Sequence, residues 1–526
     1  MAPAKIEDQS GDGIRHLIAR GTGLLAVAAA VAMSLSAVVD AETIEDALAD
    51  AYRTNPQLAA QRAALRATDE TVPQALANWR PTVTVTGQAG VARDTTRSEK
   101  LLCKNRPAGS CNNLPSGYDD WQVNDTVNGP STTKVMRHVG TTQLQITQPI
   151  YRGGRTAAQI SQAENNVQQG RANLQATEQT VLTDAATAYM NLVRDLAVLQ
   201  LNLNNEANLS KQLQATRDRF QVGDVTRTDV AQAESSLANA VAGRTQAEGN
   251  VIASRATFVR VIGREPGQLQ PAKPLESVPT TVTLAQNAAS NLPAVIAARF
   301  AAASARNNVD ILAGQKLPTV TLQGDALRQY QNATLGQRRD TFDILAVVSI
   351  PIYQAGLADA QTRAAKQTAG QLRLNIDDNL NRARESATTA FQQLNTARSR
   401  IAAFETQVRS SSIALDGVLQ EARVGSRTVL DTLNAQQDLL NAQTNLVTSQ
   451  RDAVVASYSL KAAIGQLTAQ SLGLPVEVYD PTAYYEQARS RWIGTSIPGE
   501  APSGLGALFG SARSSTPAAA YADQRD

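Results

Sequence analysis

Much of this chain is written twice. QPIYRGG at Gln148–Gly154 returns as IPIYQAG at Ile350–Gly356, and QVGDVTRTD at Gln221–Asp229 returns as RVGSRTVLD at Arg423–Asp431. Pro149 and Pro351, Gly223 and Gly425, and Gly263 and Gly465 are each separated by 202 positions. Upstream, Pro56 and Pro293, and Pro81 and Pro318, are each separated by 237. A shared offset over successive landmarks marks a tandem duplication of a unit of about 200 residues, so the fold must build one plan twice. The drop from 237 to 202 places 35 extra residues in the first copy, between Pro81 and Pro149.

Neither copy has the makings of a compact globular core. Aromatic residues are only 4% of the 526, and Ala, Gln, Asn, Leu and Thr dominate, the composition of long polar helices. A net charge of +2 excludes a nucleic-acid binder driven by a basic surface. There is no nucleophile elbow, phosphate loop or metal-ligand cluster, and His16 and His138 stand apart, so neither an enzyme nor a cofactor is expected. Cys103 and Cys111 both lie in the 35-residue excess, in a polar loop. They read either as a small disulfide in an oxidising compartment or as two free thiols. At the N-terminus, Arg15, His16 and Arg20 precede an apolar run from Leu24 to Val39 that ends in Val39-Asp40-Ala41. That is a signal peptide over residues 1–41 with a mature chain from Glu42, the alternative being a membrane anchor.

Between Pro149 and Pro266, and between Pro351 and Pro475, there is no proline, and each stretch is broken once, at Gly223 or Gly425. The spacing predicts a helix from Gly154 to Phe220, about 100 Å long, and a shorter one returning over Asp229–Ile262. The second copy repeats this with Gly356–Arg423 and Asp431–Ile464. Apolar residues recur every seven positions on two lines, such as Ile160, Val167, Leu174 and Val181 beside Leu182, Tyr189, Leu196 and Leu203. A seven-residue period means coiled-coil packing, and two lines per helix mean neighbours on both sides, as in a ring of helices.

Four segments alternate as strands: Pro81–Val91, Val139–Ile150, Pro318–Leu327 and Thr341–Ile352. The last puts Phe342, Ile344, Ala346, Val348 and Ile350 on one face. About ten residues, apolar on one face and polar on the other, suit a transmembrane β-barrel. Trp79, Tyr151 and Tyr353 fall where strands meet helices, either as a membrane-interface girdle or as local packing residues. Four strands cannot close a barrel, and open edges cannot lie in lipid, so the chain is expected to oligomerise. The long loop 92–138 then lies away from the helices, on the far side of the membrane.

The mature start ETIEDALADAYRTNP, the strand-to-helix PIYRGG and PIYQAG, the two Val-Gly turns and the returning helices opening DVAQAESSLANA and DTLNAQQDLLNAQ occur in order. Together they resemble the TolC family of outer-membrane efflux and secretion channels, over Glu42 to about Leu467. The resemblance implies a membrane α+β protein of the outer membrane and periplasm, a homotrimer whose twelve pooled strands form a barrel above an α-helical tunnel. It also implies a periplasmic adaptor and an inner-membrane pump of RND or ABC type as partners, and export of small molecules, proteins or both. Residues 42–285 are then the first repeat, 286–470 the second and 471–493 part of a belt around the tunnel, while 494–526, rich in Gly, Pro, Ser and Ala with few apolar residues, is expected to be a disordered tail. The Val-Gly turns at Gly223 and Gly425 would form the tunnel tip, with Asp229 and Arg427 latching it shut. Asp431 and Asn434 fall at two positions that ring the narrowest opening, so one carboxylate per chain is kept. A tyrosine that joins the latch in the family falls here at Ala422. Asp229 and Asp431 also have a simpler reading, as acids capping the first turn of a helix. The alternative function, a periplasmic coiled-coil adaptor, predicts one helical hairpin and no amphipathic strands.

Overall fold

Each proline-free stretch folds as one long helix and a shorter returning one, parted at its single Val-Gly turn. In the computed structural model, which describes residues 42–98, 131–332, 336–495 and 497, short helices α1 (Ile44–Thr54), α2 (Pro56–Asp69) and α3 (Thr71–Ala77) come first. Strands β1 (Thr82–Ser98) and β2 (Ser131–Arg152) follow, then the long helix α4 (Arg155–Gln221) and its return α5 (Arg227–Ile262). The second copy runs through α6 (Val282–Ala288), α7 (Pro293–Ala313), β3 (Thr319–Tyr330), β4 (Arg338–Ser349), α8 (Leu357–Arg423) and α9 (Val429–Ala463). A short α10 (Ala483–Ser490) closes the described chain. Helices α4 and α8 are both 67 residues long. The leader segment, Cys103 and Cys111, and nearly all of the tail lie outside the described residues.

The strands form one antiparallel sheet in the order β1-β2-β3-β4. The first hairpin is longer than alternation suggested. Its register runs unbroken from Thr82↔Thr147 to Ser98↔Ser131, so 92–98 and 131–138 are strand rather than loop. The apolar alternation stops at Val91, but Thr95, Thr96, Thr132 and Val135 are β-branched and keep the ladder favourable. An ion pair between Arg137 and Asp94 adds to it. In β3 and β4 the strands extend to Tyr330 and begin at Arg338, while Ile350 and Ile352 fall just beyond β4. Val83, Val85, Leu144, Leu322, Phe342, Ile344 and Val348 are all exposed on one face of this sheet. β1 and β4 are its unpaired edges.

The chain divides into two compact units, each drawing on both copies. One takes residues 42–64, 171–297 and 377–480. Its core is rich in alanine: Ala383, Ala387, Ala390 and Leu394 of α8 pack with Leu460 and Ile464 and with Val295 of α7. Small side chains let helices approach closely, which a seven-residue seam with alanine at alternate levels requires. Tyr189 is fully buried, and its hydroxyl lies 2.7 Å from the Glu42 carbonyl and 2.8 Å from that of Gln270. It also accepts the Gln270 N–H at 3.0 Å. Burial pushes this phenol up to about 12, so it stays protonated and can donate. Glu42 completes the junction, pairing with Arg264 at 3.0 Å and accepting the Gly267 N–H at 2.8 Å. Near the end of this unit, the Arg62 guanidinium sits 4.7 Å from the Tyr52 ring and 5.3 Å from the Tyr479 ring, a cation–π sandwich that holds the post-α9 segment to α1 and α2.

The second unit takes residues 65–98, 131–170, 298–332, 336–376, 481–495 and 497. Val72 and Ala75 of α3 pack with Ala163 and Val167 of α4, and Ser304 donates to Asn166 at 2.7 Å. The exit from β2 is the tightest place in it. Gly153 has a φ of 63°, and a β-carbon there would lie 2.5 Å from the Gly314 carbonyl oxygen. A β-carbon on Gly314 would in turn lie 2.5 Å from the Gly153 carbonyl oxygen, so two glycines from different copies let the backbones touch. The second copy carries Ala355 where the first has Gly153, at a φ of 52° and exposed.

Candidate functional site at the helical tips

Each long helix ends in the same turn. Gly223 and Gly425 take left-handed conformations, with φ of 81° and 82°. The next residues donate back to the last helical turn, Asp224 N–H to Arg219 O at 2.9 Å and Ser426 N–H to Glu421 O at 3.0 Å. This is the glycine-terminated Schellman stop, which satisfies carbonyls that the helix end would leave open. The returning helices then begin with matching capping boxes. Asp229 accepts from Thr226 N–H at 2.8 Å and from its hydroxyl at 2.7 Å, while Asp229 N–H donates to Thr226 Oγ1 at 3.2 Å. Asp431 and Thr428 repeat this at 3.0, 2.9 and 3.2 Å.

These caps set the acidity of the tips. Hydrogen bonds from the Thr226 side chain and backbone hold the Asp229 carboxyl below its ordinary 3.8. The Thr428 backbone and side chain do the same for Asp431. A carboxyl whose folded pKa is depressed stabilises the fold fully above its unfolded value, and that contribution is lost as pH falls through the folded one. Protection of the first turns of α5 and α9 against hydrogen exchange, corrected for intrinsic rates, is therefore expected to drop as pH falls from about 5 to about 3. Asp229→Asn and Asp431→Asn should each abolish that dependence at their own tip. Flat protection factors in the native protein would rule out the capping role.

The two tips differ in charge. In the first copy Arg219 Nε pairs with Asp224 Oδ2 at 2.6 Å across the turn. At the second copy's equivalent of Arg219 stands Glu421, and it pairs with Arg427 Nε at 2.8 Å. The polarity of the tip ion pair is thus reversed between copies. The first hairpin is also stitched across its two helices, by Arg217–Glu234 at 2.6 Å and Arg244–Glu206 at 2.9 Å. The corresponding positions of the second copy are Leu419, Gln436, Leu446 and Val408, which carry no charge. Beneath the tips, Leu209 and Ala240 of the first hairpin bury against Val429 and Leu433 of α9.

Of the residues singled out in the sequence, Asp229 and Asp431 are helix caps, while Asn434 is exposed and Ala422 is half-buried. Arg427 pairs with Glu421 of its own tip. Glu421, Arg219 and Asp224 went unrecognised, although opposite charges flanking a helix-ending glycine are a usable signal. Trp79, Tyr151 and Tyr353 are exposed, at 40%, 42% and 85%, around the helix-side ends of the strands. Among the described residues no helix is long and apolar enough to cross a membrane.

An antiparallel sheet with an exposed apolar face, in a chain that also forms long helical hairpins with charged turns, suits an outer-membrane export channel. The family model for outer membrane efflux proteins matches residues 47–264 and 284–466, once across each copy, and the chain belongs to that family. It is 34% identical over 479 residues to the outer membrane efflux protein BepC of Brucella suis biovar 1, covering 90% of this chain and 97% of that one. It is 24% identical over 373 residues to the outer membrane protein TolC of Vibrio cholerae, covering 68% and 83%. Its fold matches the CmeC outer membrane channel of Campylobacter jejuni with a TM-score of 0.67 at 16% identity, over 86% and 90% of the two chains. Members of this family are transport proteins of the outer membrane.

Proposed function

We propose that three copies of this chain pool their sheets into a twelve-stranded barrel in the outer membrane, continued by a helical tunnel into the periplasm. The open four-stranded sheet carries this reading. Its outward side chains are apolar, yet β1 and β4 each present an unpaired row of backbone groups, which lipid does not tolerate. The heptad lines agree. Leu182 and Tyr189 are fully buried, but Leu196 and Leu203 further along the same line stay 40% and 39% exposed in a single chain. A neighbouring chain would cover them. Trp79, Tyr151 and Tyr353 form the girdle at the periplasmic interface in this arrangement, and the far ends of β1 and β2 face outside.

The duct serves as the exit of a system driven by an inner-membrane pump of the RND or ABC type through a periplasmic adaptor, exporting small molecules, proteins or both. The periplasmic adaptor role weighed for the chain itself fits poorly with a four-stranded amphipathic sheet. The tips are the gate. The first hairpin is stitched by two cross-helix ion pairs and the second carries no charge at the matching positions, so the second is the one free to swing. Arg427 latches it, held in orientation by Glu421. Asp431 contributes one carboxylate per chain to the constriction and Asn434 none, a ring of three that favours cations weakly.

Assembly is tested by extracting the protein from outer membranes in mild detergent and cross-linking it with a short amine-reactive reagent. A ladder that stops at three chains is expected. A monomer recovered from the soluble periplasmic fraction would refute the barrel.

A further inference from the structure

A cleft of about 380 Å³ lies where the linker between the two copies crosses the helices α4, α8 and α9. Its walls include Met190, Ile401 and Val447, and three cations line it: Arg194, Lys273 and Arg451. Among the described residues no carboxylate lines it. Both arginines are already tethered on one side. Arg194 pairs with Asp195 at 2.7 Å, and Arg451 pairs with Asp452 at 2.9 Å and donates to Asn191 at 2.8 Å. Those bonds fix the guanidinium planes and balance two of the three charges. Lys273 has no hydrogen-bond or ion-pair partner among the described residues, so one positive charge is left over.

The rim that carries Lys273 is built to stay in place. It is the segment Pro271-Ala272-Lys273-Pro274, whose two prolines restrict the backbone. On one flank Gln270 is bound to the Tyr189 hydroxyl, and on the other Leu275 N–H donates to Ser457 at 3.0 Å. The volume falls in the range of small-molecule pockets, and such pockets combine apolar walls with a few convergent polar groups.

We propose that this cleft binds an amphipathic organic monoanion. Its acid group sits at Lys273 within reach of the free edges of Arg194 and Arg451, and its apolar body lies along Met190, Ile401 and Val447. The site uses one chain only and lies apart from the tips, so it stands whether or not the gate assignment does. An occupant would bridge the linker to three helices and stiffen that junction.

The test uses the full-length mature protein in lipid nanodiscs with flufenamate, a fluorinated aromatic carboxylate, as the probe and ¹⁹F NMR as the readout. Saturable line broadening is expected in the native protein. Lys273→Glu should weaken binding about tenfold or more, the scale of replacing one charge-assisted hydrogen bond by a repulsion. Val447→Trp, which fills the cleft, should abolish it, with thermal unfolding confirming that both variants are folded. The uncharged methyl ester of flufenamate, tested on the native protein, should bind about tenfold more weakly, a comparison that requires no variant to fold. Broadening that never saturates, or that is equal for acid and ester, would mean partition into lipid and would overturn the proposal.

Discussion

Single-channel conductance in planar bilayers is expected to rise several-fold when Arg427 is replaced by serine. The guanidinium is exposed and makes one ion pair, to Glu421 six residues earlier. Within a chain that pair only orients it. On the gate assignment proposed above, its work as a latch lies across the tip, toward a neighbouring helix of the closed pore. Glu421→Gln should raise conductance less, because Arg427 keeps its charge and is deprived only of its tether. Restoring the stitch of the first copy in the second, with Val408→Glu and Leu446→Arg together, should have the opposite sign and hold the pore closed. Exposed charge pairs are screened, so the recordings belong at about 0.1 M salt, where the Debye length is about 10 Å. Unchanged conductance of Arg427→Ser under those conditions would remove Arg427 from the gate.

Gly153→Ala is expected to be the most damaging single-methyl change in the second unit. The left-handed backbone alone costs a side chain about 1–2 kcal/mol. The added carbon also falls 2.5 Å from the Gly314 carbonyl oxygen and 2.8 Å from Leu317 Cβ, neither of which can move without the strand-to-helix exit moving. Overpacking of that kind adds about 1–3 kcal/mol. The control is built into the molecule. Ala355 holds the same conformation in the other copy, exposed to solvent, so Ala355→Gly should leave stability unchanged or raise it by up to about 1 kcal/mol. Thermal unfolding of purified protein distinguishes the two sites. Equal and small effects at both would mean that the close approach of Gly153 and Gly314 is not a constraint.

How much of this was legible in the sequence depended on the range of the interaction. The long helices were, because proline is absent between Pro149 and Pro266 and between Pro351 and Pro475, and one Val-Gly turn interrupts each interval. Their observed limits, Arg155–Gln221 and Leu357–Arg423, lie within one residue of those the glycines mark. The capping boxes were half legible, since threonine three residues before aspartate can be read from local spacing. The outer part of the first hairpin was not, because its pattern decays into Thr95, Thr96 and charged residues that alternate nothing apolar. The partner of Arg427 was missed for a different reason. It depends on a left-handed turn that folds residue 427 back toward residue 421, and the resemblance names latch members without an intrachain partner for Arg427. Gly153 and Gly314 lie 161 positions apart in the sequence and in different copies, so only the folded chain brings them together.

The two unpaired sheet edges carry a consequence for inheritance rather than for packing. On the three-chain reading, β1 of one chain must be completed by β4 of another, so no chain closes its own wall. A cell expressing a native and a defective version at equal levels would place at least one defective chain in most of its rings. A mutation that spoils strand pairing while sparing the helices should therefore act dominantly, silencing native chains made beside it.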